Sequence, residues 1–249
     1  MTSIRTAPSI LAFDVIDSTN AEARRRAEAG EAGPLWITAK RQSAGRGRRG
    51  RAWETGAGNL AATLLMVTDR APAEAAQVSF VAALAVSDLA SAYVPTERVK
   101  VKWPNDVMVS GRKLAGILVE SGARAEGGLW LAIGVGVNLA SAPVAAERPA
   151  TTIAHETRTP APEPGVALEG LADAFSEWLL RWDARGFAPI AEAWTERAYG
   201  LGEPCTARLP GETIEGVAEG LDDDGALRVR QGDGRVRRIT AGDVFFGSL

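Results

Sequence analysis

Residues 45–51 read Gly45-Arg46-Gly47-Arg48-Arg49-Gly50-Arg51, with Trp53 close behind and Gly56, Gly58 and Asn59 after it. Four guanidinium groups on a glycine-rich backbone make a loop suited to an anion. Glycine lets the backbone approach closely, and each guanidinium fork matches a carboxylate or phosphate with paired hydrogen bonds. The indole adds a flat face for a purine. The plain alternative is a solvated basic loop. Residues 45–50 also match G-x-G-x-x-G, with Asp69 beyond, but a dinucleotide fingerprint needs a helix opening inside the motif. Trp53-Glu54-Thr55-Gly56-Ala57-Gly58 follows instead. No G-x-x-x-x-G-K-[ST] occurs, which excludes a P-loop nucleotidase.

Three other constellations carry chemistry. Lys102-Trp103-Pro104-Asn105-Asp106 is followed by Gly111-Arg112-Lys113-Leu114-Ala115-Gly116-Ile117-Leu118. Asp17-Ser18-Thr19-Asn20 precedes them, and Gly134-Val135-Gly136-Val137-Asn138 comes after. Taken singly, they read as a turn, a helix N-cap and a strand against a close neighbour. Lysine is scarce, four against 24 arginines, and Lys100, Lys102 and Lys113 fall in one short segment.

The elements that must position these groups follow from periodicity. Residues 8–16 read as a strand, and Thr19-Asn20-Ala21-Glu22 has the form of a capping box opening a helix that ends at Gly30. Strands over 35–41 and 59–67 enter and leave the Arg/Gly loop. Residues 72–93 carry Val78, Val81, Leu84, Ala85 and Leu89 at helical spacing, which predicts a buried helix. In 99–103 a period of two puts Val99, Val101 and Trp103 on one face and Lys100 and Lys102 on the other, until Pro104 interrupts. Ser110-Gly111 predicts a tight hairpin turn between 107–109 and the strand carrying Lys113. Residues 129–139 form a further strand, 141–165 a proline-rich loop, and 166–185 and 190–199 amphipathic helices. Beyond Gly202, five short alternating runs (205–209, 213–221, 226–230, 235–239 and 244–246) predict a small antiparallel barrel. The expected layout is a mixed α/β domain over 1–200 and a β module over 201–249.

A chain of 249 residues, 46% hydrophobic and 24% charged, is long enough for a real core. No apolar run approaches the roughly twenty residues needed to cross a bilayer, and Met1-Thr2-Ser3-Ile4-Arg5 lacks a signal core, so the expected address is the cytoplasm. One cysteine, Cys205, excludes an internal disulfide. With one histidine, His155, it leaves too few soft ligands for zinc, and neither residue sits in a motif that activates a thiolate. A net charge of −3 argues against coating nucleic acid, so the positive charge is local.

In this order, Asp-Ser-Thr-Asn, Gln42 with Gly-Arg-Gly-Arg-Arg-Gly-Arg-x-Trp, Lys-Trp-Pro-Asn-Asp with Gly-Arg-Lys-Leu-x-Gly-Ile, and Gly-x-Gly-x-Asn resemble the biotin protein ligase family over about residues 10–140. Gly216 to Leu227 is similar to that family's SH3-like module. The resemblance implies an α+β fold: a mixed central sheet flanked by helices, class II synthetase-like, followed by a small SH3-like barrel. It implies a ligase that joins biotin to ATP as biotinyl-5'-AMP with release of pyrophosphate, then transfers biotin to a lysine of a biotin carboxyl carrier protein. Mg²⁺ is expected as ATP's companion, with ligands the sequence does not identify.

By that resemblance Ser18, Thr19, Asn20 and Gln42 hold biotin's ureido head, with Gly45, Arg46 and Gly47 near its carboxylate. Gly116 and Gly134 let the ring system lie against backbone. Arg48, Arg49 and Arg51 address phosphates, Trp53 covers adenine, and Asn105, Asp106 and Asn138 line the nucleotide side. Lys113 sits between biotin carboxylate and α-phosphate, making Lys113, Arg48 and Asp106 the catalytic set, and Asp106 also meets the acceptor lysine. A lipoate or octanoate ligase of the related superfamily is the alternative, but those resemble Arg-Arg-x-x-Gly-Gly-Gly in this region. Nucleic-acid binding by the loop and barrel is the rival of another class, disfavoured by net charge and by the lack of an aromatic-rich basic strand set. About ten residues precede the first strand, too few for the helix-turn-helix repressor domain of some members. A homodimer through the central sheet is compatible with the family.

Overall fold

The structure is a computed structural model that describes residues 8–143 and 149–247. The amino-terminal residues read for a signal, and part of the 141–165 segment, lie outside the described residues. Seven strands form the main sheet: β1 (Ser9–Ile16), β2 (Leu35–Gln42), β3 (Leu60–Thr68), β4 (Val99–Lys102), β5 (Asp106–Val109), β6 (Arg112–Ala123) and β7 (Leu129–Val137). Their order is β1-β2-β3-β7-β6-β5-β4. Only β1–β2 is parallel, its crossover being α1 (Thr19–Glu28). Helices α2 (Pro72–Ala75), α3 (Val78–Ser91), α4 (Ile153–Thr157), α5 (Pro164–Arg185) and α6 (Ala188–Glu196) complete this part. Strands β8 (Pro204–Leu209), β9 (Glu212–Leu221), β10 (Leu227–Arg230), β11 (Val236–Ile239) and β12 (Asp243–Phe246) form a second, antiparallel sheet in the order β11-β10-β9-β8-β12.

Strand alternation decides where the core ends and a cavity begins. On β7 the odd-numbered Leu131, Ile133, Val135 and Val137 join the main core with α3 and α5. The even-numbered Trp130 and Ala132 pack under α1 with Leu35, Ile37 and Leu65. Continuing that second row, Gly134 and Gly136 have no side chains, so the sheet falls away beside the start of α1. The main core also takes in Ile214, Leu227 and Val244 of the second sheet. Both sheets therefore share one hydrophobic interior, and the Trp103 indole N–H donates to the carbonyl of Gly225 across the junction at 3.1 Å.

Several elements depart from the sequence reading. The N-cap of α1 is Ser18, in extended conformation, whose hydroxyl accepts from the amide of Ala21. The capping box framed on Thr19 is thus one residue late, which releases the Thr19 side chain to face β2. The predicted helix over 72–93 is split into α2 and α3. Contrary to the length argument above, Pro72–Ser91 is long and apolar enough to cross a membrane by length and composition, but it is mostly buried inside the fold. Helix α4 lies within the segment expected to be loop, because Thr152 caps it by accepting from the amide of His155. Lys102 shares no face with Val101, yet is only 5% exposed, since Phe246 of β12 covers it with its ring centroid 5.7 Å from Nζ. Ser110 and Gly111 both have positive φ, 50° and 74°, as a two-residue hairpin turn requires.

Candidate active site

A cavity of about 380 Å³ opens over the glycine row and is lined by α1, the Arg/Gly loop, β6, β7 and the start of β12. Its inner end is neutral and polar. The Thr19 amide donates to Gln42 Oε1 at 2.8 Å and its hydroxyl to the same oxygen at 3.1 Å, while Gln42 Nε2 donates to Thr55. Thr63 donates to Asn20 Oδ1 at 2.7 Å, and Asn20 Nδ2 donates to the Leu118 carbonyl and to Glu120. A Cβ on Gly134 would overlap the Asn20 amide, so the missing side chain at that position makes room for Asn20. Next to Ser18, Asp17 accepts two hydrogen bonds from Arg25, which hold its carboxyl at about 2.

The outer end is cationic. Arg48, Arg49 and Gly50 make one 3-10 turn, with Arg49 in the left-handed region at φ 57° and Gly50 at φ 75°. Burial pushes the Arg48 guanidinium below its ordinary value; Asp243 and Asp106 oppose that, and the like charges of Arg51 and Arg49 add to it. Arg48 donates to Asn105 Oδ1 at 3.0 Å and to the Gly242 carbonyl at 3.1 Å. Arg49 and Arg51 reach Asp243 of β12 at 3.1 and 2.8 Å. Burial raises the Asp243 carboxyl, but Arg51, Arg49 and Arg48 together outweigh it and hold it below its ordinary value. The second sheet thus supplies a carboxylate to the loop arginines. Arg46 points the other way, to Glu120 at 3.0 Å.

Between the two ends stands Lys113. Its Nζ lies 2.6 Å from Asp106 Oδ1 and 5.6 Å from the centre of the Trp53 ring. The Trp53 indole packs on Gly136, where a Cβ would overlap it, and beside Gly116. Asn138 is 2% exposed and its Oδ1 accepts no hydrogen bond among the described residues. A buried acceptor left without a donor is costly.

The sequence agrees with what this geometry offers. Residues 12–138 match the model of the biotin/lipoate A/B protein ligase family, and residues 200–247 match the biotin protein ligase C terminal domain. The chain is 47% identical to the biotin--[acetyl-CoA-carboxylase] ligase of Paracoccus denitrificans over 237 residues, covering 93% of this chain and 98% of that protein. The chain belongs to the biotin/lipoate A/B protein ligase family. Among solved structures, biotin protein ligase from Aquifex aeolicus in complex with biotin and ATP matches with a TM-score of 0.79 at 25% identity, over 96% of this chain and 98% of that one. Biotin protein ligase from Leishmania major in complex with biotinyl-5-AMP matches at 0.65 and 26% identity, over 95% and 100%.

Of the residues singled out for this biotin/lipoate ligase fold, Ser18, Thr19, Asn20, Gln42, Arg46, Gly47, Arg48, Arg51, Trp53, Asn105, Asp106, Lys113, Gly116, Gly134 and Asn138 line the one cavity. Gly45 and Arg49 stand outside its lining. Gly45 packs on the Trp53 backbone, where a Cβ would overlap the carbonyl, and Arg49 faces Asp243. Sequence reasoning missed Thr63, Glu120 and Asp243, which are common residue types on strands with no motif around them. Burial pushes the Cys205 thiol up, and His155 sits against Arg112, outside the cavity. The described residues hold no cluster of three His, Cys, Asp or Glu side chains suited to a metal.

Proposed function

We propose that this chain is an ATP-dependent biotin protein ligase. The observation that carries the proposal is a single cavity in which a neutral hydrogen-bonding end meets a cationic end at Lys113. The polar end suits a ureido group: Ser18, Thr19, Asn20 and Gln42 offer both donors and acceptors, and Gly134 and Gly116 give the Asn20 amide and the Trp53 and Lys113 side chains room to line the ring system's place. Gly45, Gly47 and Arg46 are near the carboxylate in this reading. Arg48, Arg49 and Arg51 take the phosphates, Trp53 the adenine, and Asn105, Asp106 and Asn138 the rest of the nucleotide.

Placing a carboxylate against a triphosphate needs fixed positive charge, and such preorganised charge is usually the largest catalytic contribution. A biotin carboxylate oxygen attacks the α-phosphorus, the bond from that phosphorus to the bridging oxygen breaks, and pyrophosphate leaves. Lys113 follows the negative charge as it moves, a task suited to a compact ammonium. The acceptor lysine's amine then attacks the acyl carbon, AMP leaves, and Asp106 receives the proton. Asp106 and Asp243 are already paired with Lys113 and with Arg49 and Arg51, and the described residues hold no cluster of carboxylates that would cage Mg²⁺. Magnesium enters as the counter-ion of the ATP substrate, held by phosphate oxygens and water.

The acceptor in this reading is a biotin carboxyl carrier protein in the cytoplasm, and a homodimer is compatible with it. The Arg/Gly loop and the second sheet are used on ATP rather than on nucleic acid. Single-turnover transfer from preformed biotinyl-adenylate to carrier protein tests Asp106: Asp106→Asn should slow it, and an unchanged rate removes Asp106 from the second step.

A further inference from the structure

We propose that Glu156, outside the cavity, is the positioning residue for Lys113; the proposal rests on the assignment of Lys113 to the carboxylate and α-phosphate. The Glu156 side chain is 1% exposed. Its Oε1 accepts from Arg112 at 2.8 Å and from the Thr151 hydroxyl at 2.6 Å, and its Oε2 accepts from Arg98 and, at 3.4 Å, from Ser110. A carboxylate buried this completely depends on those partners, because an unpaired buried charge is strongly destabilising. Helix α4, which carries it, has only five residues and is held by such contacts rather than by its own length.

What the cluster fixes is the backbone of Lys113. Strand β7 ends opposite Ala115, two residues short of Lys113, and β5 pairs with β6 through a register shift at Val107/Met108. Lys113 sits opposite Met108 just past that shift, while its own amide and carbonyl turn to another segment: its amide donates to the Pro149 carbonyl and its carbonyl accepts from the Thr151 amide, both at 2.9 Å. Glu156 grips both sides of that contact, Thr151 in the supporting segment and Arg112 beside Lys113 in the strand. Loosening it shifts the ammonium from its place 2.6 Å from Asp106. A displacement of about 1 Å at a reacting centre costs about a hundredfold in rate.

The test is biotin-dependent exchange of pyrophosphate into ATP by Glu156→Ala, Lys113→Ala and the double variant, with biotin affinity by calorimetry. Glu156→Ala should lower kcat about 10- to 100-fold with a much smaller rise in biotin Kd, because Lys113 meets only biotin's carboxylate and the ureido end touches none of this cluster. In the Lys113→Ala background the same change should cost nothing further, since Glu156 acts only through Lys113. Thr151→Val, which removes one hydrogen bond, should lower kcat a few-fold and serves if Glu156→Ala does not fold. A wild-type kcat in both Glu156→Ala and Thr151→Val, a proportional loss of biotin affinity, or an equal further loss in the double variant overturns the proposal. Normal exchange by Lys113→Ala instead overturns the assignment of Lys113 on which it rests.

Discussion

Lys113→Ala removes the ammonium 2.6 Å from Asp106, and two losses follow. The first is the positive charge aimed at the transition state; deleting one such preorganised donor costs about 3–4 kcal/mol, or 10²–10³ in rate. The second is that Asp106, with its side chain 12% exposed, faces the incoming phosphates as an unpaired carboxylate. Two like charges about 5 Å apart at an effective dielectric of about 20 repel by about 3 kcal/mol, an upper figure once water enters the gap left by the side chain. Together these put the loss in kcat/KM for ATP at about 10³- to 10⁴-fold in the pyrophosphate exchange assay. Adding Asp106→Asn removes the second effect and should return about tenfold or more. Exchange within tenfold of wild type in Lys113→Ala, or a double variant slower than the single, refutes the argument.

Gly134→Ala places a methyl group into the Asn20 amide, so biotin affinity should fall at least about a hundredfold while ATP affinity measured separately holds; calorimetry decides. Asp243→Asn frees Arg49 and Arg51, each more than a third exposed, from a carboxylate that ATP must otherwise displace. Screened ion pairs of this kind are worth up to about 1 kcal/mol each, so KM for ATP should drop about fivefold in steady-state kinetics, and a rise would show that Asp243 organises the loop instead. Because the Asp243 carboxyl is held below its ordinary value of 3.8, its contribution to stability is complete above that pH and is lost as pH falls through the lower folded value. Thermal melts should accordingly show Asp243→Asn losing part of the wild-type decline below pH 3.8, with no difference in pH dependence between about 5 and 8.

The residues legible in the sequence are those whose chemistry is local. Ser110-Gly111 declares its turn by the two positive φ values it must adopt, and that turn delivers Lys113 to the cavity. The arginines of residues 46–51 declare an anionic partner by type and spacing, and they meet the carboxylates of Glu120 and Asp243, while Gly134 and Gly136 of β7 have the close neighbours their type announces, Asn20 and Trp53. What was not legible depends on partners far away in the chain. Glu120 meets Arg46 across 74 residues, and Asp243 meets Arg49 across 194, with nothing in either neighbourhood to mark them. The capping frame was off by one because Ser18 and Thr19 are both good N-cap residues; the packing of Thr19 on Gln42 and Thr63 decides between them. Alternation puts Lys102 on the face opposite Val101 but does not say what covers that face, and the Phe246 ring that lies over it comes from 144 residues further along the chain.

The reading of the cavity is tested most directly by exchange of labelled pyrophosphate into ATP with biotin, lipoate or octanoate as the acid. Exchange with biotin and none above background with the other two is the expected result. Exchange with lipoate or octanoate but not with biotin contradicts it.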